Sequence, residues 1–280
     1  MDRERTRPHP ATGARADGVT MRLTPATTLV LLHVVVVAMM VALAVGAPPA
    51  TPAEPPTPTQ VLRSPPGAPV TVVIGASISA GHRATPGGAW PDIVQKQLTA
   101  VGSRVRVVNA SIGATRLLTS YPDLPGSLSR EVTDGLAVDG VTELILADVI
   151  NDVQGEPHEY DAERIASGIA EFTRVAHAAG VRVTVLTLTP YEGSENYEPA
   201  GETTRQRVNA AIRTGQLADQ VVDADRTLAD PAHPSRLHPD YDSGDHLHPN
   251  DAGQRALASA VAGSSTRAPG IPLAITYQHR

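Results

Sequence analysis

The chain has 280 residues, 41% of them hydrophobic and 19% charged, a balance that suits a folded globular protein and excludes a disordered one. Its net charge of −6 offers no basic footprint for nucleic acid, and aromatics at 3% leave the core to Val, Leu, Ile and Ala, with few rings to stack on sugars or bases. The absence of cysteine excludes disulfides, thiolate zinc sites, a cysteine nucleophile and a lipid-modified N-terminal cysteine.

The first segment, 1–47, begins with Arg3, Arg5, Arg7, Arg15 and Arg22. An apolar run over 28–47 follows, broken only by His33 and ending in Ala44-Val45-Gly46-Ala47. Small residues at that spacing predict a signal peptide. The run is also nearly long enough to span a bilayer, so an uncleaved membrane tether through 28–47 is the alternative. Either way the sequence predicts an exported, secreted or extracytoplasmic protein. Residues 48–69 are rich in Pro and Thr and lack periodicity, which predicts a semi-rigid linker. A single folded domain is expected over 70–263, with a C-terminal tail over 264–280.

Within the domain, the β-branched run 70–74 ends at Gly75 and reads as a buried strand. Trp90, Ile93, Val94, Leu98 and Val101 recur at helical spacing. Strands are predicted over 105–108, 141–146, 181–188 and 221–222, and helices over 128–136 and 203–212. Ile165, Ile169, Phe172, Val175 and Ala179 mark another helix, stopped at Gly180. Asn250 can cap a last helix running to about Val261. Alternating strands and helices predict a three-layer α/β/α sandwich on a five-stranded parallel sheet with right-handed crossovers. In such sheets reactive groups gather past the carboxyl ends of the strands.

Four blocks lie at such places: GASISAG with Ser77, NASIGATRLL with Asn109 and Gly113, ADVINDV with Asn151 and Asp152, and GDHLHPNDAG with Asp245, His246 and His248. A serine hydroxyl becomes a nucleophile only beside a base held in one tautomer. A His three residues after an Asp in a turn can turn one ring nitrogen to that Asp and leave the other for a serine. A backbone N–H beside the serine, a glycine N–H and an asparagine amide would make an oxyanion hole. Ser79 and Ser111 read as ordinary loop serines, and Asp152 as a structural hydrogen-bonding partner. Asp245, His246 and His248 have poor spacing for a metal site and no further ligand group, so no metal is expected, and His246 reads as a supporting or surface residue. The acidic stretch 192–202 is either solvated surface or a lip over the substrate.

In order and content these blocks resemble the SGNH, or GDSL-type, hydrolases, over roughly residues 70–261. The stretches TLTPYEGSENY, RQRVN and YDSGDHLHPNDAG are similar to a bacterial, largely actinobacterial, secreted branch. The resemblance implies a flavodoxin-like fold and a serine esterase acting on acyl or acetyl esters. It assigns Ser77, Asp245 and His248 to the triad and Ser77, Gly113 and Asn151 to the oxyanion hole, and it implies no cofactor. The expected partner is a small-molecule or glycan ester, the expected state a monomer. An O-deacetylase of carbohydrates is the same chemistry on another substrate, and a catalytically impaired binding module is the alternative. Two positions depart from the family pattern. Ala76 stands where the serine block usually carries Asp, and Val149 where the asparagine block usually carries Gly. A β-branched residue resists positive φ, so Val149 is expected to disturb the placement of Asn151.

Overall fold

A computed structural model describes residues 67–265. The signal or anchor segment, nearly all of the linker, and the tail from 266 lie outside the described residues. Among the described residues no helix is long and apolar enough to cross a membrane.

The elements run β1 (Val70–Ile74), α1 (Ser77–Ala80), α2 (Trp90–Ala100), β2 (Arg106–Asn109), α3 (Ser127–Arg130) and β3 (Val141–Leu146). There follow α4 (Ile150–Gln154), α5 (Ala162–Ala178), β4 (Arg182–Leu186), α6 (Pro199–Arg213) and β5 (Gln220–Val222). The chain ends with α7 (Ala224–Leu228), a hairpin of β6 (Ala229–Asp230) and β7 (His233–Leu237), and α8 (Asp251–Ser265). The five main strands pair in parallel in the order β2-β1-β3-β4-β5. This is the doubly wound, flavodoxin-like order, whose direction of winding reverses between β1 and β3.

Both faces of the sheet are covered, so β1 is buried at every residue and its VTVVI run need not alternate. Helix α5 shows how the helical layer forms. Asp161 accepts hydrogen bonds from the N–H groups of Glu163 and Arg164 and caps its start. Ile165, Ile169, Phe172 and Ala176 then face the core and are fully buried. Each of the larger side chains stabilises the fold by roughly 1.5–3 kcal/mol. Gly180, at φ +74, ends the helix in a conformation a Cβ would strain.

Two departures from the predicted elements are informative. The segment expected as one α-helix over 128–136 is a short α-turn that widens into a π-helical segment, Glu131–Leu136. The wider turn lets the bare Cα of Gly135 lie against β3, where a Cβ would stand 3.1 Å from Leu144. The β6–β7 hairpin has no counterpart in the sequence reading, because its short polar strands carry no apolar alternation. It is strapped to the loop after β4, where the N–H groups of Tyr191 and Glu192 donate to Ser235 O.

The π-helical segment also buries Glu131, which is 1% exposed and has no hydrogen-bond partner for either carboxylate oxygen among the described residues. Burial, reinforced by Glu171 and only partly offset by Arg174, pushes its pKa up to about 8. A carboxyl with a raised folded pKa leaves stability intact below its ordinary value of 4.5 and removes it as pH climbs toward 8. Glu131→Gln is therefore expected to raise Tm by about 4–8 °C at high pH, or about 2 kcal/mol, and to change it little at low pH. Thermal unfolding at pH values on either side of the titration checks this; equal shifts at both would contradict it.

Candidate active site

The serine turn begins where β1 ends. A Cβ on Gly75 would stand 2.7 Å from Ser79 Oγ and 3.0 Å from Ser111 Oγ, so only glycine lets the chain pass. Ser77 then opens α1, at a position whose N–H has no intrahelical acceptor. The turn is held from several sides. Asn109 Nδ2 donates to Ser79 O (2.8 Å) and Gln254 Nε2 to Ile78 O (2.9 Å). Arg130 Nη2 donates to Gly75 O (2.9 Å), and Trp90 Nε1 to Ser79 Oγ (3.0 Å). Ser79, read from sequence as an ordinary loop serine, is thus fully buried and part of the support. The carboxylate of Asp148 accepts from the N–H groups of Ala76 (2.6 Å) and Ser79 (2.8 Å).

The histidine comes from the turn before α8. Asp242 Oδ1 accepts from the N–H groups of Gly244 and His246, and Asn250 Nδ2 donates to the carbonyls of Asp240 and Asp242. Asn250 Oδ1 caps α8 by accepting from Ala252 and Gly253 N–H. Inside this frame Asp245 Oδ1 accepts from the N–H groups of Leu247 and His248. The same carboxylate thereby places Oδ2 2.8 Å from His248 Nδ1. His248 Nε2 lies 2.9 Å from Ser77 Oγ. Burial alone would raise the pKa of Asp245. Hydrogen bonds from the His248 backbone and ring and from Leu247 N–H outweigh it and hold the group far below the usual carboxylate range.

The sequence did not single out His82 or Arg83, which crowd this end of the relay. The His82 ring meets His248 edge-on, with centroids 4.5 Å apart, and Arg83 Nε lies 3.4 Å from Asp245 Oδ2. His82, Asp245 and His248 bring their ligand atoms within 4.8 Å of one another. The adjacent Arg83 guanidinium already supplies positive charge to that carboxylate. His246 belongs to neither group, because its Nδ1 turns to Asp242 Oδ2 at 2.6 Å.

The candidate oxyanion donors sit at the ends of β2 and β3. Asn151 is buried, with Nδ2 donating to Thr115 O (2.9 Å) and Oδ1 accepting from Gln154 Nε2 (2.8 Å). Its amide is thereby oriented, with a second N–H left over. Asp152 accepts from the N–H groups of Leu117 and Leu118 and pins the loop that carries Gly113. Gly113 is exposed, and no described atom lies within 4 Å of where its Cβ would stand. The positive φ in this loop falls on Ala114, so the turn itself does not require glycine at 113.

Val149 does not carry the positive φ that its position in the block suggested. It takes an ordinary helical conformation at φ −63. The positive φ is carried one residue earlier by Asp148, at φ +61, and Asp is among the residues that tolerate it best. The acidic stretch is also less free than its composition implied. Glu192 is engaged by Ser235 and Arg236, and Glu202 is buried against Arg205.

Residues 73–256 match the sequence profile of the GDSL-like lipase/acylhydrolase family. Among curated proteins no relative matches. Several solved structures share the fold. The crystal structure of TesA is 23% identical, with a TM-score of 0.55 and coverage of 70% of this chain and 97% of that one. The psychrotrophic esterase EstA from Pseudoalteromonas sp. is 17% identical, with a TM-score of 0.54 and coverage of 71% and 97%. The acetyl xylan esterase Axe2 from Geobacillus stearothermophilus is 21% identical, with a TM-score of 0.54 and coverage of 71% and 94%.

Proposed function

The chain belongs to the GDSL-like lipase/acylhydrolase family, and from that membership we propose that it is an exported serine esterase cleaving acyl or acetyl esters through Ser77, His248 and Asp245. The observation that carries this reading is the relay of 2.9 Å and 2.8 Å contacts joining Ser77 Oγ, His248 and Asp245. Ser77 Oγ has no other hydrogen bond to a described residue, and the turns on both sides are held by separate bonds.

In the proposed reaction His248 Nε2 takes the Ser77 proton as Oγ attacks the ester carbonyl. Asp245 keeps the imidazole in the tautomer with Nδ1–H and stabilises its cation. The N–H groups of Ser77 and Gly113 and the free N–H of Asn151 receive the oxyanion. His248 returns its proton to the leaving alcohol. Water then attacks the acyl-enzyme with His248 again as base, releasing the acid and restoring Ser77. Every proton in this cycle is accounted for by one imidazole.

The test is labelling of the purified protein with a fluorophosphonate, the adduct located by mass spectrometry. A panel of p-nitrophenyl esters of graded chain length and acetylated sugars then reads the substrate range. Labelling on Ser77 is expected. A folded protein that resists the reagent would overturn the reading in favour of a binding module on the same fold. Asn151→Ala is expected to lower kcat about 10²-fold with KM nearly unchanged, because the amide acts on charge that develops only in the transition state. Steady-state kinetics on p-nitrophenyl acetate check it, and a loss confined to KM would remove Asn151 from the oxyanion hole.

A further inference from the structure

The serine block lacks the acidic residue its neighbours in pattern carry, yet a carboxylate still reaches the turn. It arrives from β3, on the far side of the winding reversal. Asp148 Oδ2 accepts from Ala76 N–H at 2.6 Å and Ser79 N–H at 2.8 Å. These two donors flank Ser77 in the chain, one before it and two after it, so a single oxygen clamps both ends of the turn that presents the hydroxyl. The Ser79 hydroxyl in turn accepts from Trp90 Nε1. The clamp therefore continues into the core through a fully buried serine and tryptophan.

The backbone at 148 is bent to make this reach. Asp148 sits at φ +61, one of four described non-glycine residues with positive φ. Such a conformation costs of order 1 kcal/mol or more and persists where surrounding contacts over-determine it. Here they do. Ala147 N–H is bonded to Ile74 O, continuing the β1–β3 ladder to the residue before Asp148, and Asn151 N–H returns to Asp148 O. The bend thus sets two things at once: the carboxylate against the serine turn and the start of the turn that carries Asn151. Burial raises the pKa of Asp148, opposed by the Ser79 and Ala76 N–H groups, the Ser79 hydroxyl and the nearby His248.

We propose that Asp148 is the positioning residue of the nucleophile turn, a carboxylate relocated from position 76 to the end of β3 that fixes Ser77 relative to His248. Alanine at 76 and a non-glycine at positive φ at 148 are then two halves of one exchange. The inference rests on the esterase reading for its kinetic consequences, but not for its structural ones.

The test uses Asp148→Gly, which keeps the backbone conformation accessible and removes the carboxylate, and Ala76→Asp combined with Asp148→Gly, which returns a carboxylate to the serine block. Asp148→Gly is expected to lower kcat about 10²-fold with KM within about two-fold, since an ångström of misplacement carries a cost of that order. The double variant is expected to recover kcat to within about ten-fold of the parent, whatever its Tm. Amide hydrogen exchange at Ala76 and Ser79 is expected to speed up at least about ten-fold in Asp148→Gly while the core strands stay protected. A folded Asp148→Gly with the parent's kcat and unchanged exchange at these amides overturns the proposal, as does a double variant no better than the single one. If the parent neither turns over esters nor labels at Ser77, the esterase reading fails alone, and the exchange at Ala76 and Ser79 decides the positioning role.

Discussion

Ser77→Ala is expected to lower kcat/KM for a short p-nitrophenyl ester by about 10⁴-fold or more, while Tm stays within about 2 °C of the parent. The size follows from what the substitution leaves behind. The oxyanion donors and the binding pocket still act on the carbonyl, so a residual rate above that in water remains. The covalent route is gone, and His248 can serve only as a base for water in a site shaped for another nucleophile. The stability expectation follows from the contacts. Among the described residues the Ser77 side chain makes one hydrogen bond, to His248 Nε2, whereas the turn is held by Asp148, Asn109, Gln254 and Arg130. Neighbouring hydroxyls cannot take over. Ser79 is fully buried, with Trp90 Nε1 on its oxygen, and Ser111 Oγ is enclosed away from solvent. A folded alanine variant hydrolysing at the parent's rate would mean that the nucleophile lies elsewhere.

Much of this site was legible because it is built from chain-local pieces. The VTVVI run ending in glycine, the Asp-x-x-His turn and the Asn250 cap each declare their geometry over a few residues. Alternation predicts the parallel sheet but not its strand order; the order β2-β1-β3-β4-β5 brings the ends of β1, β2 and β3 to one edge. What was not legible is what depends on two distant segments at once. Asp148 reads as one more acid after a strand until β1 and β3 are placed side by side. The bond from Ala76 N–H to Asp148 was hidden for the same reason, since it spans 72 positions. Glu131 is similar: nothing in its neighbours in sequence announces a buried carboxyl, and its burial comes with the π-helical segment, close enough to Glu171 and Arg174 of α5 to feel their charges. The hairpin β6–β7 lacks a hydrophobic period and is defined by its bonds to the loop after β4.

Asp245→Asn separates the two tasks that the carboxylate performs. Oδ1 accepts from Leu247 and His248 N–H and shapes the turn, while Oδ2 faces His248 Nδ1. An asparagine can keep the first set by presenting its carbonyl oxygen to the two backbone donors. Its amide then points N–H toward Nδ1 and favours the tautomer with the proton on Nε2. That nitrogen can no longer accept from Ser77, so kcat is expected to fall about 10²–10⁴-fold while the fold persists. Stability changes with a definite sign. The Asp245 pKa is depressed in the folded state, so its contribution is present above the ordinary value of 3.8 and is lost as pH falls below it. The parent is accordingly expected to have the higher Tm at neutral pH, and the gap between parent and Asp245→Asn to narrow in acid. Rates on p-nitrophenyl acetate together with thermal unfolding across that range check both halves. A variant that turns over as fast as the parent would show that the imidazole needs no acidic partner, and the Asp-x-x-His turn would then only shape the chain before α8, its contact with Ser77 carrying no chemistry.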